Sequence, residues 1–411
     1  MTFCALSSAK GMDIKMKNIL IITQSLTGGG AEKLAANLSL ELSKTDKVTI
    51  VTFTKTEIEY DYSGNRININ RVGGKGGLFT HILNAIGRIV EVKKIKKRIN
   101  CDCAISFLPQ TDYVNVLSRI KGEKIIVDVV SNMSFVYPKG IKKWFRYLIL
   151  NKADYIVTVS EGVRKDLINN FNVRKENSKT IYNSCDIDSI ITDCKKEKEF
   201  KRLESVLPEK YICSMGSFRL AKGHWHLIKA FSTIADKIPN YKLVILGDGQ
   251  YRDKYEKLIE KLGLSNRVVL PGFANPPYSI ISHSDLFIFS SVFEGFGHSI
   301  IEAMACGVPV LSTDCDYGAR EILAPKTDFK IKAKEVETCE YGFLMPPFNM
   351  DDIDCNTNIL ELERIMGDAI MHILLLDNNF LISKGLKYVR KFDNEAYGKY
   401  WKETIEEIIN A

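Results

Sequence analysis

No apolar run in this chain approaches the roughly 20 residues that a membrane-spanning helix needs, so no bundle of spans is expected. Residues 1–16, MTFCALSSAKGMDIKM, lack a basic start followed by a long apolar core. That argues against a secretory leader and predicts a loose tail. The ten cysteines have no compact or regular spacing, which speaks against a disulfide scaffold and for a reduced, cytoplasmic setting. The closest pair, Cys101 and Cys103, would straddle Asp102 on a strand, and no second pair at zinc spacing accompanies it, so no metal site is expected. The spacing Gly-x-Gly-x-x-Gly does not follow Thr23, and no Gly-Lys-Ser/Thr closes a phosphate loop. A nicotinamide dehydrogenase and a P-loop enzyme are thereby disfavoured.

What is present is an ordinary globular balance of 45% hydrophobic and 26% charged residues. A chain of 411 residues exceeds one ordinary core and fits two domains of about 150 to 200 residues. The net charge of +7 is unevenly placed. GRIVEVKKIKKRIN (87–100) sets Arg88, Lys93, Lys94, Lys96, Lys97 and Arg98 around Ile89, Val90, Val92, Ile95 and Ile99. KGIKKWFRYLILNKAD (139–154) sets Lys142, Lys143, Arg146 and Lys152 around Trp144, Phe145 and Tyr147. Basic residues beside exposed aromatics on an amphipathic helix suit an anionic membrane surface; the competing reading is the solvated face of a core-packing helix. No nucleic-acid-binding module accompanies the charge, so nucleic acid is not an expected partner.

Strand and helix patterns alternate in two series. The first has strands at KNILIIT, KVTIVTF, CAISFL, KIIVDVVS, DYIVTVS and SKTIYNS; the second has them at YICSMGS, KLVILGDG, RVVLPGF, DLFIFSS and VPVLST. Strands alternating with helices imply parallel sheets covered on their faces. The charged stretch 185–210 between the series reads as a linker, with the halves joined near 188–208.

Ligands of such sheets sit at the carboxyl ends of the strands, where a following helix offers free N–H groups and the positive end of its dipole to an anion. Three loops have that form. In TGGGAEK, Gly28, Gly29 and Gly30 let a ligand approach the backbone. In GSFRLAKGHWHL, Arg219 and Lys222 are placed to meet a diphosphate. In SSVFEGFGHSIIEAMACGVPVLSTDC, Glu294 lies in a Gly-flanked loop and Glu302 on the helix that follows, so the two carboxylates flank an anion at the helix start.

In their order and spacing, TGGGAEK, VSEGVRKDL, IYNSCDID, GSFRLAKGH and the long block from LPGFANPP to LSTDC, with its Glu-x7-Glu pair, resemble the retaining, nucleotide-sugar-dependent glycosyltransferases of family four over nearly the whole chain. The resemblance implies an α/β GT-B fold with two facing Rossmann-like domains: 1–190 for the acceptor, 191–388 for the nucleotide sugar, and a helix in 389–411 crossing back to the first. It places Glu294 beside the transferred sugar and Glu302 on the ribose hydroxyls. The backbone of Phe296, Gly297 and His298 meets the diphosphate, and Arg219 and Lys222 neutralise its leaving charge. Gly216, Ser217, Gly247 and Phe273 complete the donor side; Gly28, Gly29, Gly30 and Asn132 belong to the phosphate and acceptor side. Two positions depart from the pattern, Ser217 where relatives often carry Arg, and Asn132 with Met133 where they often carry His.

The implied reaction moves a hexose or N-acetylhexosamine, UDP favoured as carrier, to a saccharide acceptor, lipid-linked, in cell-surface glycan assembly at the inner face of the membrane. No metal or other cofactor is needed in it. A sugar-nucleotide epimerase or phosphorylase of the same architecture is the alternative, and a two-lobed sugar-binding protein is a more distant one.

Overall fold

The computed structural model describes residues 16–54, 59–70, 78–349 and 356–411. The tail read at 1–16 lies outside them except for Met16. Two seven-stranded sheets form the scaffold. The first contains β1 (Asn18–Thr23), β2 (Lys47–Thr52), β3 (Asn65–Asn68), β4 (Cys103–Ser106), β5 (Lys124–Val129), β6 (Tyr155–Thr158) and β7 (Ser178–Thr180), in the order β3-β2-β1-β4-β5-β6-β7, all parallel. Around it lie α1 (Gly30–Leu42), α2 (Leu78–Arg98), α3 (Pro109–Leu117), α4 (Met133–Val136), α5 (Ile141–Lys152) and α6 (Glu161–Phe171). Continuous apolar runs such as Ile19–Ile22 are fully buried because helices cover the sheet on each side.

The stretch expected to be a solvated linker is instead helical. α7 (Ile187–Cys194) and α8 (Lys198–Leu203) bury Ile187, Ile190 and Leu203 in a core shared with the second sheet. In α7 Ile187 and Ile190 face inward while Asp188 stays exposed, and in α8 Leu203 is buried together with Glu199, which pairs with Arg202. The boundary placed at 190/191 therefore falls inside α7.

The second sheet contains β8 (Tyr211–Met215), β9 (Lys242–Leu246), β10 (Val268–Gly272), β11 (Leu286–Phe289), β12 (Val310–Thr313), β13 (Glu337–Thr338) and β14 (Phe343–Met345), in the order β10-β9-β8-β11-β12-β14-β13, with only β13 antiparallel. Its helices are α9 (His224–Ser232), α10 (Arg252–Lys261), α11 (Tyr278–Ile281), α12 (His298–Ala305), α13 (Ala319–Leu323), α14 (Glu361–Leu374) and α15 (Asn379–Tyr388). α16 (Asn394–Asn410) returns to the first sheet and buries Tyr397, Trp401, Ile405 and Ile408 in the core under α1. The two crossings between the halves run side by side: the Cys185 N–H donates to Phe392 O at 2.8 Å.

The halves also touch across the cleft. Glu321 of α13 accepts from the N–H groups of Glu161 and Gly162, at 2.7 and 3.1 Å, at the start of α6. The rings of Phe135 and Phe293 meet at 4.1 Å. Both strand orders reverse direction beside their first strands, β1 and β8, which puts the carboxyl ends of the two sheets where a crevice forms.

Candidate active site

β8 ends at Met215, and the chain turns through 216–222 into α9. The turn is tied to the strand beside it: the Val292 N–H donates to Ala221 O at 2.8 Å, and Ser290 Oγ donates to Lys222 O at 2.9 Å. Lys222 folds over Gly216, where a Cβ would stand 3.2 Å from the lysine chain. Its ammonium donates to Glu294 Oε1 at 2.5 Å, and Ser291 Oγ donates to the same oxygen at 2.9 Å. The Glu294 backbone is fixed as well, its N–H donating to Asp316 O at 2.6 Å and its carbonyl accepting from the Tyr317 N–H at 3.3 Å. A carboxylate and an ammonium are thus held together on rigid strand ends.

The chain enters α12 through Gly297, whose φ of +102° a side chain would strain. The first N–H groups of α12 have no partner within the helix, and the helix dipole is positive there. Glu302, one turn on, takes a hydrogen bond from Tyr278 Oη at 3.3 Å. Burial raises its pKa, and Lys33 across the cleft opposes that rise. His298 lies between Asn183, whose Nδ2 is 2.9 Å from Nε2, and Cys185, whose sulfur is 3.4 Å from Nδ1. With Asn183 donating to Nε2, the neutral ring carries its proton on Nδ1 and donates it to the sulfur. Burial, then Lys33 and Lys222, push the His298 pKa down to about 4.

Two cavities flank this helix start. The larger, about 520 Å³, is lined by Lys33 and Asn37 of the first half, by Pro276, Pro277 and Tyr278, and by His298 and Glu302. The smaller, about 280 Å³, is lined by Asn132, Phe135 and Val136 of the first half and by Arg219, Lys222 and Glu294 of the second. Gly295 of this turn closes on the first half, since a Cβ there would stand 2.6 Å from Val130 O.

A family model described as glycosyltransferase family 4 matches residues 28–189, and one described as glycosyl transferases group 1 matches 195–353. An uncharacterized glycosyltransferase of Methanocaldococcus jannaschii is 31% identical over 324 residues, which cover 75% of this chain and 78% of that protein. This chain belongs to glycosyltransferase family 4. A second relative, the N-acetylgalactosamine-N,N'-diacetylbacillosaminyl-diphospho-undecaprenol 4-alpha-N-acetylgalactosaminyltransferase of Campylobacter jejuni, is 30% identical over 316 residues, 75% of this chain and 83% of the relative. The solved structure of Anabaena HepE with UDP and glucose shares the fold, with a TM-score of 0.68 at 18% identity over 95% of this chain and 99% of that one. The protein is a glycosyltransferase of the GT-B type.

In this family 4 enzyme the structure brings Glu294, Lys222, Arg219, Ser217 and Asn132 to the smaller cavity, and Glu302, His298 and Gly30 to the larger. Gly297 lies on the turn between them. The Phe296 ring points away from both, buried and stacked on Tyr182 at 5.3 Å, which leaves only its backbone for a ligand. Gly28 and Gly29 shape the turn before α1 without lining either cavity, and Gly216 underlies Lys222. Gly247 lines neither: its φ of +137° and a would-be Cβ contact of 2.0 Å to Gly216 O show a strand-end packing position. Phe273 also lines neither and is 74% exposed, because the β10 exit turns it outward.

Two residues expected on a basic surface are buried. Lys96 donates to Glu123 at 2.9 Å and to Asn115, and Arg146 donates to Asp112 at 2.6 Å. Residues not anticipated are Lys33, Tyr278, Asn183 and Ser291. Lys33 alone carried a signal, being a cation in the first turn after a glycine-rich strand exit.

Proposed function

We propose that the enzyme transfers a hexose or N-acetylhexosamine from a UDP-sugar to a saccharide acceptor, lipid-linked, in glycan assembly. The observation that carries this reading is the pair of cavities on the two sides of the α12 N-terminus, one with Glu302 and the other with the Lys222–Glu294 pair. A nucleotide sugar spanning them has its ribose on Glu302, its diphosphate across the helix start and its sugar beside Glu294. The named activity of the Campylobacter relative supports a diphospholipid acceptor, and the UDP and glucose in HepE support the donor class.

In transfer, the acceptor oxygen bonds to the anomeric carbon as the bond to the diphosphate breaks. The departing phosphate oxygen takes the acceptor proton on the same face, which retains configuration. Lys222, Arg219, Lys33 and the α12 N–H groups stabilise the charge on the leaving group, a role that fixed cations and dipoles fill without a metal. Glu294 stabilises positive charge developing on the sugar ring.

The membrane surface enters through α2. Ile82, Leu83, Ile86 and Val90 form an exposed apolar stripe at helical spacing, and Lys93, Lys94 and Lys97 are exposed beyond it. That face suits the headgroup region of an anionic bilayer at the inner leaflet. Among the described residues no single helix is long and apolar enough to cross a membrane.

The test is a screen of UDP-sugars with short-chain lipid-linked saccharides, with and without a chelator. Linkage-specific product at equal rates in the two arms supports the proposal. Strict dependence on magnesium or manganese, or release of an altered nucleotide sugar without acceptor, overturns it.

A further inference from the structure

A groove on the first half is left unused by the donor site. It encloses about 540 Å³ and is lined by Tyr113 of α3, by Tyr137, and by Ile141, Lys142, Trp144 and Phe145 of α5. Its walls are fixed from beneath. The buried Arg146–Asp112 ion pair, at 2.6 Å, pins α5 to α3, and the rings of Tyr113 and Phe145 meet at 4.9 Å. The apolar lining is nonetheless open to solvent, with Ile141 79% and Trp144 58% exposed. Contiguous apolar surface of this kind marks a place where something binds.

The strip does not stop at the groove. Tyr137 follows directly on Val136, and Val136 and Phe135, each exposed, line the cavity that holds Glu294 and Lys222. The groove and the Glu294 cavity are therefore lined by neighbouring residues of one short segment, 135–137. The charge at the groove has one sign: Lys142 lines it, Lys139 is exposed at the turn before α5, and among the described residues no carboxylate lines it. Lys143 faces elsewhere, its ammonium 5.3 Å from the centre of the Phe171 ring.

We propose that this groove holds the apolar chain of a lipid-linked acceptor, with its anionic head beside Lys139 and Lys142 and its saccharide in the Glu294 cavity. The assignment rests on the reading of that cavity as the site of transfer. An apolar chain can lie against the aromatic and aliphatic lining, and the lysines meet the diphosphate that joins chain to sugar.

Trp144 supplies the readout. Of the three tryptophans, Trp225 and Trp401 are fully buried, so only Trp144 changes its surroundings when the groove fills. Farnesyl diphosphate, titrated below its micelle-forming concentration, is expected to shift tryptophan emission to the blue and to saturate. Inorganic diphosphate is expected to leave it unchanged. Ile141→Glu, at an exposed position where the fold tolerates charge, is expected to weaken farnesyl diphosphate binding by about tenfold or more, roughly the loss of a single good apolar contact. Glu294→Gln should bind the probe as the parent does. If Glu294→Gln also kept full turnover, the transfer-site reading would fail on its own while the groove result stood. No shift with farnesyl diphosphate, an equal shift with inorganic diphosphate, or unchanged affinity in Ile141→Glu would overturn the proposal. So would a shift given only by phosphatidylglycerol vesicles, which would make the groove a bilayer-insertion surface.

Discussion

Glu294 holds one end of a 2.5 Å ion pair whose other end, Lys222, faces the same cavity. Glu294→Gln keeps the shape and removes the charge, so turnover should fall by a factor on the order of a hundred or more, about 3 kcal/mol, with an unchanged circular dichroism spectrum. Near-normal turnover in the folded variant would remove Glu294 from the reaction. His298 gives a second prediction. Its folded pKa of about 4 lies below the ordinary 6.5, so between these values the unfolded chain binds the extra proton. Stability is therefore fully present above about pH 6.5 and declines as pH falls toward 4. Urea midpoints measured across that range should drop less steeply in His298→Gln than in the parent. Lys96 gives a third: replacing it with Gln leaves Glu123 buried without its cation, which should cost about 3–5 kcal/mol in urea denaturation. A change of no more than a few tenths would mean that the site admits water. The acidic pair of the site was legible because Glu-x7-Glu sits in one strand–loop–helix unit. The burial of Lys96 and Arg146 was not, because their partners, Glu123 and Asp112, lie 27 and 34 residues away.

At the scale of elements, long apolar runs such as those of β1, β5 and β11 were legible, and so were the partly exposed β7 and β10, whereas the fully buried β14 escaped because it spans three residues. β3 escaped because NRIN is an edge strand with no fully buried residue, and β13 because it spans two residues. α7 and α8 were read as linker because six-to-eight-residue helices with mixed charge show little periodicity. The turn into α12 is the element on which the proposed donor site depends. Gly297→Ala would place a side chain at φ +102° and a Cβ 3.3 Å from Ile300 Cδ1. A cost of about 1–2 kcal/mol in stability is expected from the backbone alone. Donor binding should weaken with it as the N–H groups are re-aimed; titration calorimetry showing parent-like affinity would mean that these groups do not face the diphosphate.

At the scale of the molecule, the site exists only between the halves. The larger cavity needs Lys33 and Asn37 from one sheet's helix and Glu302 and Tyr278 from the other half, and the side-by-side crossings at Cys185 and Phe392 keep these surfaces opposed. None of this could be read from patterning, since contacts such as Glu321 with the α6 N-terminus join residues 159 and 160 positions apart. The central claim is the division of labour across the α12 N-terminus, with the nucleotide on the Glu302 side and the sugar on the Glu294 side. Titration calorimetry of UDP against the parent, Glu302→Ala and Glu294→Gln tests it most directly. The expected result is UDP affinity lowered about tenfold by Glu302→Ala, the worth of a lost charge-assisted hydrogen bond, and left unchanged by Glu294→Gln. Equal losses in the two variants, or a loss confined to Glu294→Gln, would contradict the account.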